Sequence, residues 1–381
     1  MPLEHKTDLG YPLSAKKIGE LLKIARTGQD LTLQEVGGKL NLPISTLSDI
    51  EHGKRKTTSV ELFKFSRLYN RPVDFFLRDY ETNSSFSVLL RAVEETAVSK
   101  TAIIKFQELC NNYSFLKSLL KIPDAASSPD YSRSEPTNAD AENIAEAERG
   151  SLGLNGQPIR DITDLLESKR GIKIFHMDID GEGFSGAMAS DDCYGSCFLI
   201  NANNPSRRRT FTIAHEYAHC LAHRNQLAHV DYERPIDQGN RQEKFADSFA
   251  AAFLMPRGSV IEFLSNLKSS KAEINSLTIL QVAIYFGVSF EAAGWRLVSL
   301  QQLASTKWNE IIAQHIPTSP IASVLGYVND DTKPDVLPRQ YKYLCYKAYN
   351  DGEISLEKLA ELLGRNYHEL KTEFEITKSQ T

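Results

Sequence analysis

The sequence predicts a mainly α chain with a small β-sheet, an α+β class, and three observations carry that expectation. Residues 13–56 place apolar side chains at helical spacing, broken by a tight Asn41-Leu42-Pro43 connection. Residues 172–201 hold three short strand-like runs separated by glycine-rich breaks. Directly after them comes TFTIAHEYAHCLAH, residues 210–223, which reads as one helix with two histidines four residues apart.

The chain has 381 residues, room for two or three domains with cores of their own. No run approaches the roughly 18 apolar residues of a membrane span. Residues 1–10 lack the basic-then-apolar pattern of a signal peptide. No membrane partner is therefore expected. The 5 cysteines are few, odd in number and scattered, which suits a reducing cytoplasm. Cys193 and Cys197, in CYGSC, read as the end of a buried strand more readily than as a disulfide or metal site. The net charge of −5 argues against a protein that coats nucleic acid. Residues 1–80 nevertheless carry 13 Lys/Arg against 10 Asp/Glu, the sign expected if only this part meets phosphate.

In residues 1–80, Ile18, Leu21, Leu22 and Ala25 mark a first helix, closed by Gly28. Thr32 is a good N-cap for a short helix ending near Leu40, and residues 44–51 form a second. Two short helices across a tight turn make a helix-turn-helix, whose second helix enters the major groove with its N-terminal residues at base edges. That places Ile44, Ser45, Thr46 and Ser48 or Asp49 near bases, and Lys54, Arg55 and Lys56 on phosphates. The pattern of Leu33, Val36, Gly37, Leu47, Ile50, Glu51, Gly53, Leu62, Phe65 and the ending 73–76 resembles the Cro/phage-repressor (Xre) type. Gly37-Gly38 departs from that family's usual single small residue, and each glycine costs a helix about 1 kcal/mol. The resemblance implies operator DNA as a partner. A module that keeps the fold but binds protein is the competing expectation.

Residues 81–122 read as a helical connector and a surface on which a homodimer could form. Residues 123–138, rich in Ser, Pro and Asp, read as the flexible linker and the domain boundary. A domain at 139–300 and a helical region at 301–381 follow. Helices are expected at 139–152 and 162–170, and strands at 172–176, 185–189 and 197–201. A small sheet feeding an H-E-x-x-H helix is the layout of zincin-like peptidases, with 185–189 or 197–201 expected as the edge strand that pairs with substrate. Asn204 as N-cap and Pro205 in the first turn start the helix. Arg207, Arg208 and Arg209 then read as a solvated cluster bridged to acids.

His215 and His219 share one helical face about 5–6 Å apart at Cβ, so both can reach one zinc ion. Glu216, beside the first ligand, is placed to take a proton from water at the open position. A third protein ligand is needed. His223 lies a full turn beyond His219, too far along one straight helix. The metzincin position, ten after the first histidine, is Asn225. His229 could come from a loop, but nothing around it supports the role. Glu243 is better placed: RQEKFADSFAAAFLMP is a second helix with Phe245, Phe249 and Phe253 on one stripe and Glu243, Ala246, Asp247 and Ala250 on another face. Small residues there, and Ala214, Ala218 and Ala222 opposite, permit close approach. Asp247 could accept the outer N–H of a ligand histidine and fix its tautomer.

TIAHEYAH followed by EKFADSFAAAFLMP, with FLIN and RRRTFTIA ahead of them, is similar to the ImmA/IrrE family of metallopeptidases over about residues 140–300. The resemblance implies zinc, or manganese, held by His215, His219 and Glu243, with Glu216 as general base. It also implies a repressor-type protein as substrate, cleaved in a stress, phage or mobile-element response. Tyr217 stands where the family usually has Leu and Ala218 where it has Gly, and neither is a ligand. His176, His223, His229 and Tyr232 are all candidates for stabilising the oxyanion. Residues 277–297 and 354–374 echo the helix-turn-helix pattern of 31–51 without its basic loop, as structural or partner-binding hairpins.

Two functions compete. One is a DNA-binding regulator fused to a zinc endopeptidase that cuts a repressor in trans or cuts itself near residues 123–138. The alternative is a non-cleaving repressor or antitoxin whose zincin-like domain binds a partner or senses metal.

Overall fold

In a computed structural model of the chain, the residues described are 15–27, 31–69, 73–77, 85–92, 100–123, 128–132, 137–180, 183–191, 194–223, 228–232, 241–267, 274–313, 324 and 333–380. Contacts divide the chain into two units, Met1–Ser84 and Ser85–Thr381.

The first unit contains α1 (Ala15–Thr27), α2 (Leu33–Leu40), α3 (Ile44–Glu51), α4 (Ser59–Leu68) and α5 (Val73–Leu77). Local chemistry sets the starts of α2 and α4. Thr32 with Glu35, and Thr58 with Glu61, form reciprocal capping boxes that satisfy otherwise orphaned N–H groups. Asn41 ends α2 in the left-handed conformation at φ 54°, and Pro43 precedes α3. Leu22, Val36, Leu47, Ile50, Phe65 and Phe76 fill the core. Arg26 locks α1 to α3, donating Nε to Glu51 Oε1 at 2.6 Å and Nη2 to Oε2 at 2.9 Å.

The second unit surrounds a four-stranded sheet of β1 (Lys173–Met177), β2 (Phe184–Asp191), β3 (Gly195–Asn201) and β4 (Ala228–Tyr232), in the order β1-β3-β2-β4. β1 is parallel to β3, while β2 is antiparallel to both β3 and β4. The edges are therefore β1 and β4. The expected edge strands, 185–189 and 197–201, are the two central ones. β4, AHVDY, lies outside the expected strands; with Val230 as its one β-branched residue it carries little strand signal of its own.

Successive side chains on a strand face opposite ways, and here both faces are covered. Ile174, Met188, Phe198 and Ile200 pack into one core with α8 (Ala141–Ser151), α9 (Ile162–Arg170), α10 (Ser206–Ala222), α11 (Arg241–Leu254), α12 (Arg257–Leu267), α13 (Ser276–Phe286), α14 (Phe290–Ser299) and α15 (Ser305–Ala313). Phe175, Ala187, Ala189, Cys197 and Leu199 pack into the other with α6 (Ser85–Ala92), α7 (Lys100–Leu119), α16 (Arg339–Asn350), α17 (Leu356–Leu363) and α18 (Tyr367–Gln380). Burial on both faces explains why β1 and β3 read as nearly continuous apolar runs.

The chain thus divides at Ser84/Ser85 and not within residues 123–138. Of that stretch, Ser128 and Ser132 are buried and Tyr131 donates its N–H to Leu221 O at 2.8 Å, so polar composition there marks an anchored crossing. Residues 124–127 and 133–136 lie outside the described residues. The helical connector and α16–α18 belong to the core on the sheet's second face, whereas α15, also in the 301–381 region, packs into the first.

The three arginines at the start of α10 also differ from expectation. Arg207 Nη1 donates to Ala283 O and Val288 O at 3.0 and 2.9 Å, Arg208 Nη2 to Ser185 Oγ at 3.0 Å, and Arg209 Nη1 to Ala202 O and Asn204 O. Arg207 and Arg209 hold carbonyls around the helix entry, and Arg208 holds a hydroxyl. Pro205, with no side-chain hydrogen bond to offer, occupies the N-cap in place of Asn204.

Candidate metal centre

α10 is buried without interruption from Thr212 to Ala222, so its polar residues sit inside the protein and need partners there. Ala214 and Ala218 on α10, with Ala246 and Ala250 on α11, are completely buried; their small side chains let the helices approach closely. Tyr217 reaches Glu148 of α8 through its hydroxyl, and Arg170 of α9 donates Nε to both, at 2.7 Å to Glu148 Oε1 and 3.1 Å to Tyr217 Oη. That buried triad explains a tyrosine at this position: it ties three helices together, which an aliphatic side chain could not do.

His215, His219, His229 and Glu243 gather one donor atom each within 4.8 Å of one another. His215 Nε2 lies 3.1 Å from His219 Nε2 and 3.4 Å from Glu243 Oε2. Glu243 Oε1 lies 3.5 Å from His219 Nε2 and 3.4 Å from His229 Nε2. Bonds of roughly 2.0–2.1 Å at tetrahedral angles separate ligands by about 3.3 Å, so this donor set fits one zinc-sized ion. Burial works against a charged His215, yet Asp247, Glu243 and Asp231 outweigh it and raise its pKa well above the ordinary value. The cluster favours a positive charge at its centre.

The structure brings together the three residues expected as ligands and adds His229. β4 pairs with β2, Met188 opposite His229, and alternation turns Ala228 and Val230 toward the α6–α7 core while His229 and Asp231 face the cluster. The His229 ring stacks on His219 at 3.9 Å between centroids. Only strand pairing could have revealed this residue. Asp247 Oδ1 sits 2.9 Å from His215 Nδ1, and Glu216 is fully buried on α10. His223 is the helix C-cap, its Nδ1 2.9 Å from His219 Nδ1, and burial pushes its pKa down to about 4. His176 lies elsewhere, in a cavity at the other end of α10.

In the first unit, Ile44 and Ser45 are exposed at the start of α3 and Thr46, Ser48 and Asp49 are half-buried beside them. Lys54, Arg55 and Lys56 are exposed on the following loop. Arg55 donates Nη2 to Glu61 Oε1 at 2.8 Å, and the Asp49 carbonyl accepts the N–H groups of Lys54 and Arg55. Gly53, at φ +68°, brings this loop against α1: an added Cβ would meet Lys16 Cα at 2.3 Å.

A helix-turn-helix unit and an α+β unit with a buried His/Glu cluster define the class, a DNA-binding regulator carrying a peptidase-type domain. Residues 22–76 match the family model described as Helix-turn-helix, and residues 167–298 match Peptidase_M78, the IrrE N-terminal-like domain. The chain therefore carries an Xre-type helix-turn-helix followed by an IrrE/ImmA-like metallopeptidase domain. No curated protein matches the chain. Among solved structures, ComR from Streptococcus suis is similar at 11% identity over 96% of each chain, with a TM-score of 0.17, and nothing is drawn from that likeness.

Proposed function

We propose that this chain is a cytoplasmic transcriptional regulator whose second unit is a zinc-dependent endopeptidase that cleaves a repressor-type protein, in trans or within itself. The observation that carries this reading is the donor cluster of His215, His219 and Glu243, spaced for one ion beside the buried Glu216. A bound zinc ion would supply a Lewis acid that polarises the scissile carbonyl and acidifies a water molecule. Asp247 accepts the Nδ1–H of His215, which leaves Nε2 as the donor atom facing the cluster. Glu216 takes the water's proton and passes it to the leaving amine. β4 is an edge strand and carries His229, so an extended substrate segment can add to it as a further strand. In the first unit, Ile44, Ser45, Thr46, Ser48 and Asp49 meet bases of an operator, while Lys54, Arg55 and Lys56 meet phosphates. Among the described residues, Cys110, Cys197, Cys220 and Cys345 are buried thiols outside any disulfide, which accords with a reducing compartment. Among the described residues no single helix is long and apolar enough to cross a membrane.

The test is incubation of the zinc-loaded chain with repressor-type proteins encoded beside it, against Glu216→Gln. Cleavage by the wild type alone supports the reading; equal cleavage by both, or none by either, removes it. One observation favours the alternative of a non-cleaving metal sensor or antitoxin: His229 makes a fourth protein donor, and four protein donors describe a closed, structural site.

A further inference from the structure

Outside the metal centre, a cavity of about 260 Å³ lies among the N-terminal ends of α9, α10 and α16 and the inner face of β1. It is lined by Ser206, Arg209, Thr210 and Ile213 of α10 and by none of His215, His219, His229 and Glu243. Three features give it the character of a binding site.

The first is Glu167, only 6% exposed, which lines the cavity from α9. Its carboxyl accepts the backbone N–H of Arg339 at the start of α16, yet Oε1 is buried without any hydrogen-bond partner. A buried polar atom left unpaired is costly, and one that borders a cavity is satisfied by what enters it. Burial pushes the Glu167 pKa up to about 8, with Asp164 and Asp161 acting the same way and Arg339 against them.

The second is the open end of α10. Its N-cap is Pro205, which supplies no side-chain acceptor, while Ser206, Arg209 and Thr210 line the cavity from its first turns. Pro205 O takes the N–H groups of Arg208 and Arg209, so the Ser206 N–H, the helix dipole and the positive charge of Arg209, which is held by Ala202 O and Asn204 O, favour a negative group there. The third is polarity of both signs over an apolar floor. Ile162, Ile174 and Ile213 line the same space as the charged groups, so a compact organic body has surface to bury.

We propose that this cavity binds a small zwitterion of the amino-acid class, its ammonium group on Glu167 Oε1 and its carboxylate at the open end of α10. An anion alone would leave Glu167 unanswered, and a cation alone would leave the helix end unanswered. The inference stands apart from the peptidase reading, since it concerns binding only.

The test uses the full chain, with thermal shift and calorimetry against the twenty L-amino acids, and with acetate and methylamine as the separate halves. At least one amino acid should raise the melting temperature and bind at least tenfold more tightly than either half. Glu167→Gln, which keeps an acceptor for the Arg339 N–H, should weaken that binding at least tenfold with an unchanged circular dichroism spectrum. Ser206→Asp places a carboxylate where the ligand's would sit. It should abolish binding while leaving the melting temperature equal or higher, because an acid in the first turn favours the helix. Absence of binding by every amino acid would overturn the proposal. Acetate binding as tightly as the amino acid, or full binding by either variant, would overturn it as well.

Discussion

Asp247 Oδ1 lies 2.9 Å from His215 Nδ1, on the side of the ring away from Glu243. The two residues sit on different helices, so their contact depends on the close packing of α10 against α11. A carboxylate behind a ligand histidine fixes the tautomer and raises the ring's basicity. Asp247→Asn should therefore weaken zinc affinity by about 10- to 100-fold, read by competition with a chromophoric chelator. Unchanged affinity would mean that Asp247 does not support the metal.

Glu216→Gln should retain bound zinc and lose about 10²–10⁴-fold in cleavage rate, the range for removing a general base. His229→Ala separates the two functional readings. If His229 is a fourth ligand of a closed site, X-ray absorption of the zinc-loaded variant should show one nitrogen fewer. If the coordination shell is the same in both proteins, the closed-site alternative is sunk.

The pH dependence of stability should carry the mark of Glu167, whose pKa rises on folding from 4.5 to about 8, chiefly through burial. Asp161 and Asp164 push it the same way, and Arg339 of α16 opposes them. Between those two values the folded chain holds a proton that the unfolded chain has released, so this group's contribution is greatest below pH 4.5 and lost as pH rises toward 8. The stability of wild type minus that of Glu167→Gln should fall steadily from pH 5 to pH 8. Both tryptophans, Trp295 and Trp308, lie in the second unit, so denaturant titrations followed by tryptophan fluorescence report it. A flat or rising difference contradicts the assignment.

For DNA, Ser45→Ala with Thr46→Ala should reduce operator preference by roughly 1–3 kcal/mol while leaving non-specific affinity nearly unchanged. Lys54→Ala or Lys56→Ala should instead weaken binding to all sequences and lower the salt slope by about one. Arg55→Ala should weaken binding to all sequences by less, because its guanidinium is partly engaged by Glu61. Sequence preference that survives the Ser45/Thr46 change rules out base contact there.

Gly37-Gly38 separates into one required glycine and one that is not. A Cβ at Gly37 would meet Leu42 O at 2.8 Å, whereas at Gly38 it would meet nothing within 4 Å. Gly38→Ala should stabilise α2 by about 0.5–1 kcal/mol, seen as slower amide exchange across residues 33–51. Gly37→Ala should do the reverse. Faster exchange in Gly38→Ala would contradict the structural account.

Local patterns reveal much of this protein because local physics produces them. Thr32 and Glu35 announce a helix start through a capping box, and Asn41 its end. His215 and His219 mark a candidate metal site through helix periodicity. Glu243 and Asp247 were legible because a helix displays its faces in sequence, and small residues advertise a close neighbour. Polar composition was a poorer guide at residues 128–132, where buried serines and a backbone hydrogen bond to Leu221 hold a segment that reads as linker.

The sequence by itself determined α2 with its Thr32 cap, α3 after the Asn41–Pro43 turn, and the His215–Glu216–His219 arrangement on one helix, all of which follow from spacing within about twenty residues. Tertiary structure decided what distant segments do when they meet. It brought His229 to the cluster through β2–β4 pairing, tied Tyr217 to Glu148 and Arg170, and turned Arg207 onto the carbonyls of Ala283 and Val288. It also left one oxygen of Glu167 facing a cavity. The three pairings join residues far apart in sequence, and they form only when the folded chain removes both partners from water.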